Sequence, residues 1–401
     1  MTTPLVLALF AALVAGVVTN ALVPVVARLA GMLRALDRPD ERKHHAGEIP
    51  RLGGVAIALG LGVAAGVGLL AGWKQWGVII PRSELAALAM GTSLVFLIGV
   101  LDDLYTVTPS KKFLVQFLAA WLIVQVGWQF GALNLPFVGS VELGVWGGPI
   151  SILWLVGVTN AVNLIDGLDG LASGVVAIIA VSLLVYSFVQ GNPGSVVLLA
   201  AVAGACLGFL RHNWEPARIY LGDSGSLTLG FLLAAISLHS SLKAQAAVAI
   251  LVPVLALGLP VIDTLLVMVV RFFGAEGAPV ARRFARMFHA DRNHLHHLLG
   301  HLVARRHRIV AVLYTTAIVF CAAALAVALT GETLLGLVLV AVELAVMLAM
   351  RAWGLATEAR RLAQEQKEEV KPRLARWERE EVAGTGEAAA PPVSDSPPPA
   401  P

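Results

Sequence analysis

The sequence predicts an all-α, polytopic integral membrane protein with about eleven transmembrane helices, its N-terminus outside and its active site on the cytoplasmic face. Three observations predict this. Hydrophobic residues make up 58% of the 401-residue chain and charged residues only 14%, where an ordinary soluble protein carries roughly a quarter. Mean hydropathy is +0.80, more apolar sequence than a soluble core absorbs, and apolar runs approaching the roughly 20 residues that cross a bilayer recur along the chain. Finally, 26 of the 29 Lys and Arg fall in alternate connections between those runs, the asymmetry that sets membrane orientation.

The apolar runs lie at about 4–27, 52–72, 83–101, 113–130, 149–165, 171–190, 195–210, 224–240, 246–270, 308–329 and 333–350. The first has no Lys or Arg before it and is long for a signal-peptide core, so it reads as a retained helix. With the N-terminus outside, the inside connections are 28–51, 102–112, 160–170, 211–223, 271–308 and the tail from 351. The outside ones hold only Lys74, Arg82 and Lys243. The outside segment 131–148 alternates Val141, Leu143 and Val145 between Pro- and Gly-containing stretches, a hairpin pattern. Residues 295–303 place Leu295, Leu298, Leu299, Leu302 and Val303 at helical spacing, which predicts an amphipathic helix lying on the membrane surface. Three regions follow: a membrane domain over 1–352, a charged cytoplasmic helix over 353–382, and a Pro- and Ala-rich disordered tail over 383–401. Cys206 and Cys321 both sit in apolar runs and read as packing residues, with no disulfide framework. A net charge of +3 gives no footprint for nucleic acid.

The unusual polar residues all fall on the inside face. Asp102-Asp103 ends the third apolar run, where carboxylates oppose the helix dipole and therefore want a reason. Two adjacent carboxylates among cations could hold Mg²⁺ or supply a general base. Asn163, Asp166 and Asp169 recur every three residues, so a helical turn would align them on one side. Gly167 and Gly170 among them permit a helix break or a close ligand, and acidic groups at the end of an apolar helix are costly unless used. Gly222-Asp223-Ser224-Gly225 opens the eighth helix, either as a simple N-cap or as an oxygen ligand beside a phosphate-favouring helix terminus. Lys111-Lys112 and Arg42-Lys43-His44-His45 read alone as membrane anchors. Asp291-Arg292-Asn293-His294-Leu295-His296-His297 lies in the longest inside connection. Its histidines could ligate zinc, but imidazoles beside Arg292 suit hydrogen bonding to a pyrophosphate better. No GxxxxGK[ST] motif occurs, so a P-loop ATPase is not supported. Carboxylates, amides and cations without a nucleophilic Ser or Cys suit Mg²⁺-assisted phosphate chemistry between a lipid and a soluble substrate.

These stretches carry a resemblance. Arg42-Lys43-His44 to Gly54, Val100-Leu101-Asp102-Asp103, Asn160 to Gly170, Asn213 to Gly225 and Asp291 to His297 resemble, in order, the polyprenyl-phosphate N-acetylhexosamine-1-phosphate transferases (glycosyltransferase family 4). The resemblance implies transfer of a sugar 1-phosphate from a UDP-N-acetylhexosamine to undecaprenyl or another polyprenyl phosphate, releasing UMP, in a bacterial inner membrane. It implies Asn163 and Asp223 as ligands of Mg²⁺, with Mn²⁺ as the substitute. Asp102 or Asp103 would orient or deprotonate the lipid phosphate, with Asp102 favoured as base. Asp166 and Asp169 would lie near nucleotide or metal, and Asn213 and Tyr220 near uridine. Lys43, Lys112, Arg292, His294, His296 and His297 would contact phosphate or sugar. Direct attack and an aspartyl-phosphate intermediate both stay open, as do a homodimer and the polysaccharide made. Leu295 interrupts the three consecutive histidines typical of the branch that uses UDP-MurNAc-pentapeptide. The count of eleven helices also resembles the branch that transfers GlcNAc 1-phosphate. The rival from another class is an ion-coupled transporter. Transporters place carboxylates near the bilayer midplane, whereas these lie at one face.

Overall fold

The computed structural model describes residues 2–37, 48–135, 139–242, 249–274, 279–287, 294–300 and 306–382. Its helices are α1 (Thr2–Met32), α2 (Gly53–Ile79), α3 (Arg82–Tyr105), α4 (Pro109–Gln125), α5 (Gly147–Leu164), α6 (Leu171–Val189), α7 (Pro193–Asn213) and α8 (Gly222–Ser241). They continue as α9 (Leu251–Ala256), α10 (Gly258–Phe273), α11 (Val280–Met287), α12 (Leu295–Gly300), α13 (Arg306–Thr330) and α14 (Thr333–Val382). Two small antiparallel pairs complete the described residues. β1 (Leu36–Asp37) pairs with β2 (Ile49–Pro50), and β3 (Ala132–Leu135) with β4 (Gly139–Glu142). The second pair is the hairpin expected within 131–148.

This is an all-α, multi-pass membrane protein. Among the described residues, eight helices are long and apolar enough to cross a bilayer: α1, α2, α3, α5, α6, α7, α13 and α14. The other three expected runs also form helix, but each departs from a plain apolar span. α4 has 17 residues. α8 is rich in Ser and Thr. The run at 246–270 is broken, with α9 ending at Ala256 and α10 starting at Gly258. Pro260 has no N–H to give the carbonyl of Ala256, and the Cys321 thiol sits 3.8 Å from that carbonyl oxygen.

Burial sorts the helices into a centre and a rim. α8 packs against α2, α3, α5, α6 and α7, and every one of its residues except Asp223 is buried. So polar a helix can be buried because its hydroxyls bond back along its own turn. Ser226 donates to the carbonyl of Gly222 at 2.9 Å, Thr228 to Ser224 at 2.6 Å and Ser240 to Ile236 at 2.8 Å. At the rim, α1 exposes Leu5, Val6, Leu9 and Leu13, and α14 exposes Leu334, Val338 and Val342. A contiguous apolar surface of that size on an outer helix is a lipid-facing one.

Two expectations are corrected. The helix predicted to lie on the membrane surface exists as α12, but Leu295, Leu298 and Leu299 are buried. It packs against α13 and α14, so its apolar stripe faces protein. Its expected continuation, Leu302 and Val303, lies outside the described residues. Asn163, Asp166 and Asp169 do not share one side of a helix. α5 stops at Leu164, residues 165–170 form a turn, and Gly170 takes φ +76° before α6.

Candidate active site

α8 is the axis of the site. Gly222 has φ +71°, a conformation L side chains avoid. It turns the chain so that the backbone amides of Asp223 and Ser224 face α3. The Asp103 carboxylate receives both, at 2.8 and 3.0 Å. Asp103 therefore caps a helix 120 residues away in sequence. A carboxylate is well placed there, because a helix N-terminus carries unpaired N–H groups and partial positive charge.

Asp102 points elsewhere. Its Oδ1 accepts the Val107 amide at 2.6 Å, and its Oδ2 lies 3.2 Å from the Lys112 ammonium. That ammonium also reaches Asp223 Oδ2 at 2.9 Å. The other oxygen of Asp223 accepts from Asn163 Nδ2 at 3.0 Å, and the same amide donates to Ser226 at 2.8 Å. One cation from α4 thus joins carboxylates from α3 and α8, and α5 supplies the amide beside them. The placement of Lys112 has a local cause. Gln116 lies one turn further on the same face of α4, 1% exposed, and accepts from Asn160 of α5 at 2.6 Å. Sequence reading passed over Gln116, although an amide inside an apolar run was the available signal.

Asp166 projects from the turn after α5. Burial, then the carboxylates of Asp223 and Asp103, push its pKa up to about 8, with Arg51 the opposing influence. With its pKa near 8 the group holds its proton at neutral pH, chiefly because it is buried. Asp169 accepts the backbone N–H of Ala217 at 2.9 Å and so fastens the segment after α7. Asn213 is buried. Its Oδ1 accepts from the Gly170 amide and the Ser173 hydroxyl, both at 3.1 Å, while Nδ2 donates to the carbonyl of Ile219 at 2.9 Å. Its oxygen is thus fully used inside the fold. Tyr220 is held by its backbone, whose amide donates to the Pro50 carbonyl at 2.8 Å and whose carbonyl accepts the Gly53 amide at 3.0 Å.

The histidine segment approaches from the far side. His294 and His296 are buried, 3% and 4% exposed, and His297 is exposed. His294 and His296 stack with centroids 6.1 Å apart. His296 lies against Gly167, where a Cβ would overlap its ring. Burial, with His297 and His294 adding to it, pushes the His296 pKa down to about 3, so it is a neutral imidazole and not a cation for phosphate. A residue that sequence reading missed holds His294: Asp263 of α10, 3% exposed, lies 2.9 Å from its Nδ1. An Asp inside an apolar run is itself a functional signal. Lys43 and Arg292 lie outside the described residues.

Comparison with known sequences supports the same assignment. The profile of glycosyl transferase family 4 matches residues 85–241, which run from α3 through α8. A Bacillus subtilis (strain 168) protein named probable undecaprenyl-phosphate N-acetylglucosaminyl 1-phosphate transferase is 35% identical over 306 residues, covering 75% of this chain and 80% of its own. This chain belongs to glycosyl transferase family 4. A decaprenyl-phosphate N-acetylglucosaminephosphotransferase from Mycobacterium tuberculosis (strain H37Rv) is 33% identical over 325 residues, 75% of this chain and 78% of its own. A family 4 relative of another kind, the phospho-N-acetylmuramoyl-pentapeptide-transferase of Synechococcus elongatus (strain PCC 7942), is 38% identical over 234 residues, 54% of this chain and 60% of its own. The family 4 profile thus covers Asp102, Asp103, Lys112, Asn163, Asp166 and Asp223, the residues the fold brings together around the start of α8.

Proposed function

We propose that this chain transfers N-acetylglucosamine 1-phosphate from UDP-N-acetylglucosamine to undecaprenyl phosphate, releasing UMP, at the cytoplasmic face of a bacterial inner membrane. The observation that carries the reading is the Lys112 ammonium held between Asp102 and Asp223, with Asn163 beside them. The branch is supported by relatives named for N-acetylglucosamine transfer, which align over three quarters of this chain, against 54% for the pentapeptide transferase. Leu295, which breaks the histidine run, points the same way.

The chemistry follows from the charges. An oxygen of the lipid phosphate attacks the phosphorus attached to the sugar. The bond from that phosphorus to the UMP oxygen breaks, and UMP leaves with the electron pair. Both reactants are anions, so the chain must offset charge and align them in line. Asp102, fixed by the Val107 amide, accepts the proton of the lipid phosphate. Lys112 moves from its two carboxylates to phosphate oxygens as they arrive. Exposed His297 binds the sugar-phosphate side.

The residues fit a magnesium ion. The donors are hard oxygens, and the Asp166 carboxyl, its pKa raised by burial and then by Asp223 and Asp103, stands beside two further carboxylates. Among the described residues no three His, Cys, Asp or Glu side chains enclose an ion. Mg²⁺ commonly takes one or two carboxylates and completes its shell with water and substrate phosphates. Asp223 and Asn163 would hold it, and Mn²⁺ would substitute. When bound, the ion neutralises diphosphate oxygens and the charge developing on the leaving UMP.

The test uses full-length protein in detergent with Mg²⁺ and undecaprenyl phosphate, offered UDP-GlcNAc and UDP-MurNAc-pentapeptide separately. UMP from UDP-GlcNAc alone is the expected result. UMP from the pentapeptide substrate alone would overturn the branch, and UMP from neither would overturn the reaction.

A further inference from the structure

α10 packs against α5, α13 and α14, and its one carboxylate, Asp263, is 3% exposed. Burying an ionisable group in an apolar bundle is costly unless partners repay it. Both of its oxygens are directed at one short stretch more than thirty residues later. Oδ2 lies 2.9 Å from His294 Nδ1, and Oδ1 accepts the Leu295 amide at 3.0 Å. His294 is the residue at which α12 starts, since its carbonyl accepts the amides of His297 at 3.0 Å and Leu298 at 3.2 Å. The surroundings are dry. The space between Asp263, His296 and the neighbouring Leu259, Leu295 and Leu313 is about 10 Å³, roughly one water at most.

A carboxylate on Nδ1 decides more than where the loop sits. It requires the proton of a neutral His294 to be on Nδ1, so that Nε2 faces away from Asp263 with a free lone pair. His294 Nε2 is buried and has no hydrogen-bond partner among the described residues. The neighbouring His296 Nε2 is in the same condition, and its ring rests on Gly167, in the turn that carries Asp166. The imidazole pair therefore joins the broken helix α9–α10 to the carboxylate side of the site.

We infer that Asp263 is a positioning residue for the transfer reaction. It fixes the Nδ1–H tautomer and the orientation of His294, and with them the imidazole pair that rests on Gly167 in the turn that carries Asp166. This rests on the transfer reading, but the tautomer does not. Partners of this kind behind a working imidazole typically contribute about 10- to 100-fold to activity.

Asp263→Asn keeps the volume and removes the second acceptor, so it cannot receive both Nδ1–H and the Leu295 amide. Full-length Asp263→Asn, Asp263→Glu, His294→Ala and the Asp263→Asn/His294→Ala double variant would be compared in detergent at matched thermal midpoints. Two readouts are needed. The first is UMP release with UDP-GlcNAc and undecaprenyl phosphate. Asp263→Asn should lose about 10- to 100-fold, Asp263→Glu should recover part of it, and the double variant should be no slower than His294→Ala alone. Losses that multiply in the double variant, or wild-type turnover in Asp263→Asn, would overturn the inference. The second is the ¹⁵N spectrum of histidine-labelled protein, with His294 assigned by its absence in His294→Ala. A protonated Nδ1 in the wild type that is lost in Asp263→Asn is the expected result. A His294 protonated on Nε2 in the wild type, or a signal unmoved by Asp263→Asn, would overturn the inference even if no nucleotide sugar were turned over.

Discussion

Asp103 directs both carboxylate oxygens at the backbone amides of Asp223 and Ser224, whereas its neighbour Asp102 shares the Lys112 ammonium with Asp223. The two should therefore fail differently. Asp103→Ala removes a helix cap and should lower stability by about 1–2 kcal/mol, visible as a lower thermal midpoint, with turnover falling as Asp223 loses its support. Asp102→Asn keeps the shape and should leave the midpoint near wild type while turnover falls at least about 100-fold, the contribution of a positioned general base. Equal midpoints and equal activities for the two would contradict the division of roles. Asp166 makes a prediction in pH. Its folded pKa lies near 8, above the ordinary value near 3.9. Between those values the native state holds a proton that the unfolded chain has released, so this group makes stability fall as pH rises from about 4 to 8. A divalent cation that needs the ionised form should bind more tightly as pH rises through about 8. Cation titrations at several pH values should show that slope in the wild type and a flatter one in Asp166→Asn.

At the scale of elements, α8 is fixed at both ends. One end is the Asp103 cap. At the other, Glu84 of α3 accepts from Trp128 Nε1 at 2.9 Å and lies 3.6 Å from His239 Nε2, and Ser195 Oγ is 2.7 Å from His239 Nδ1. Trp128→Phe should lower the thermal midpoint while leaving the KM for nucleotide sugar unchanged, because the clasp is a whole helix length from Asp223. A changed KM with an unchanged midpoint would contradict this. Gly167→Ala should lower both activity and the midpoint, since the added methyl overlaps the buried His296 ring. These elements also show what a sequence can carry. Charge parity and the recurrence of Asp and Asn at the ends of apolar runs made legible that α3, α4, α5 and α8 present their polar termini together. It could not reveal which of Asp102 and Asp103 caps and which faces the cation, because the cap belongs to a helix 120 residues away. Helical spacing aligned Asn163, Asp166 and Asp169, but α5 ends at Leu164, so Asn163 bonds Asp223 and Ser226 while Asp169 accepts from Ala217. The stripe of α12 had the periodicity of a surface helix, and only the packing of α13 and α14 shows that it faces protein. Asp263 was hidden because a single carboxylate barely alters the hydropathy of its run.

Over the whole molecule, the described polar groups that can act on phosphate gather where α3, α4, α5 and α8 end or begin, and apolar residues cover the outer faces of α1 and α14. For the proposed reaction, such a bundle would bring a lipid phosphate to its reaction partner without taking the prenyl chain out of the bilayer. Removing residues 383–401 should leave turnover unchanged, because that Ala- and Pro-rich sequence offers no apolar face to pack. Lost activity in a correctly inserted truncate would contradict this. The most direct test of the account is the Asp223→Ala variant, which takes away the carboxylate that Lys112 and Asn163 share. Full-length variant and wild type would be compared with UDP-GlcNAc, undecaprenyl phosphate and graded Mg²⁺, with UMP release measured beside the thermal midpoint. The account predicts loss of UMP release at every Mg²⁺ concentration with the fold intact. Wild-type turnover with an unchanged Mg²⁺ dependence would contradict it.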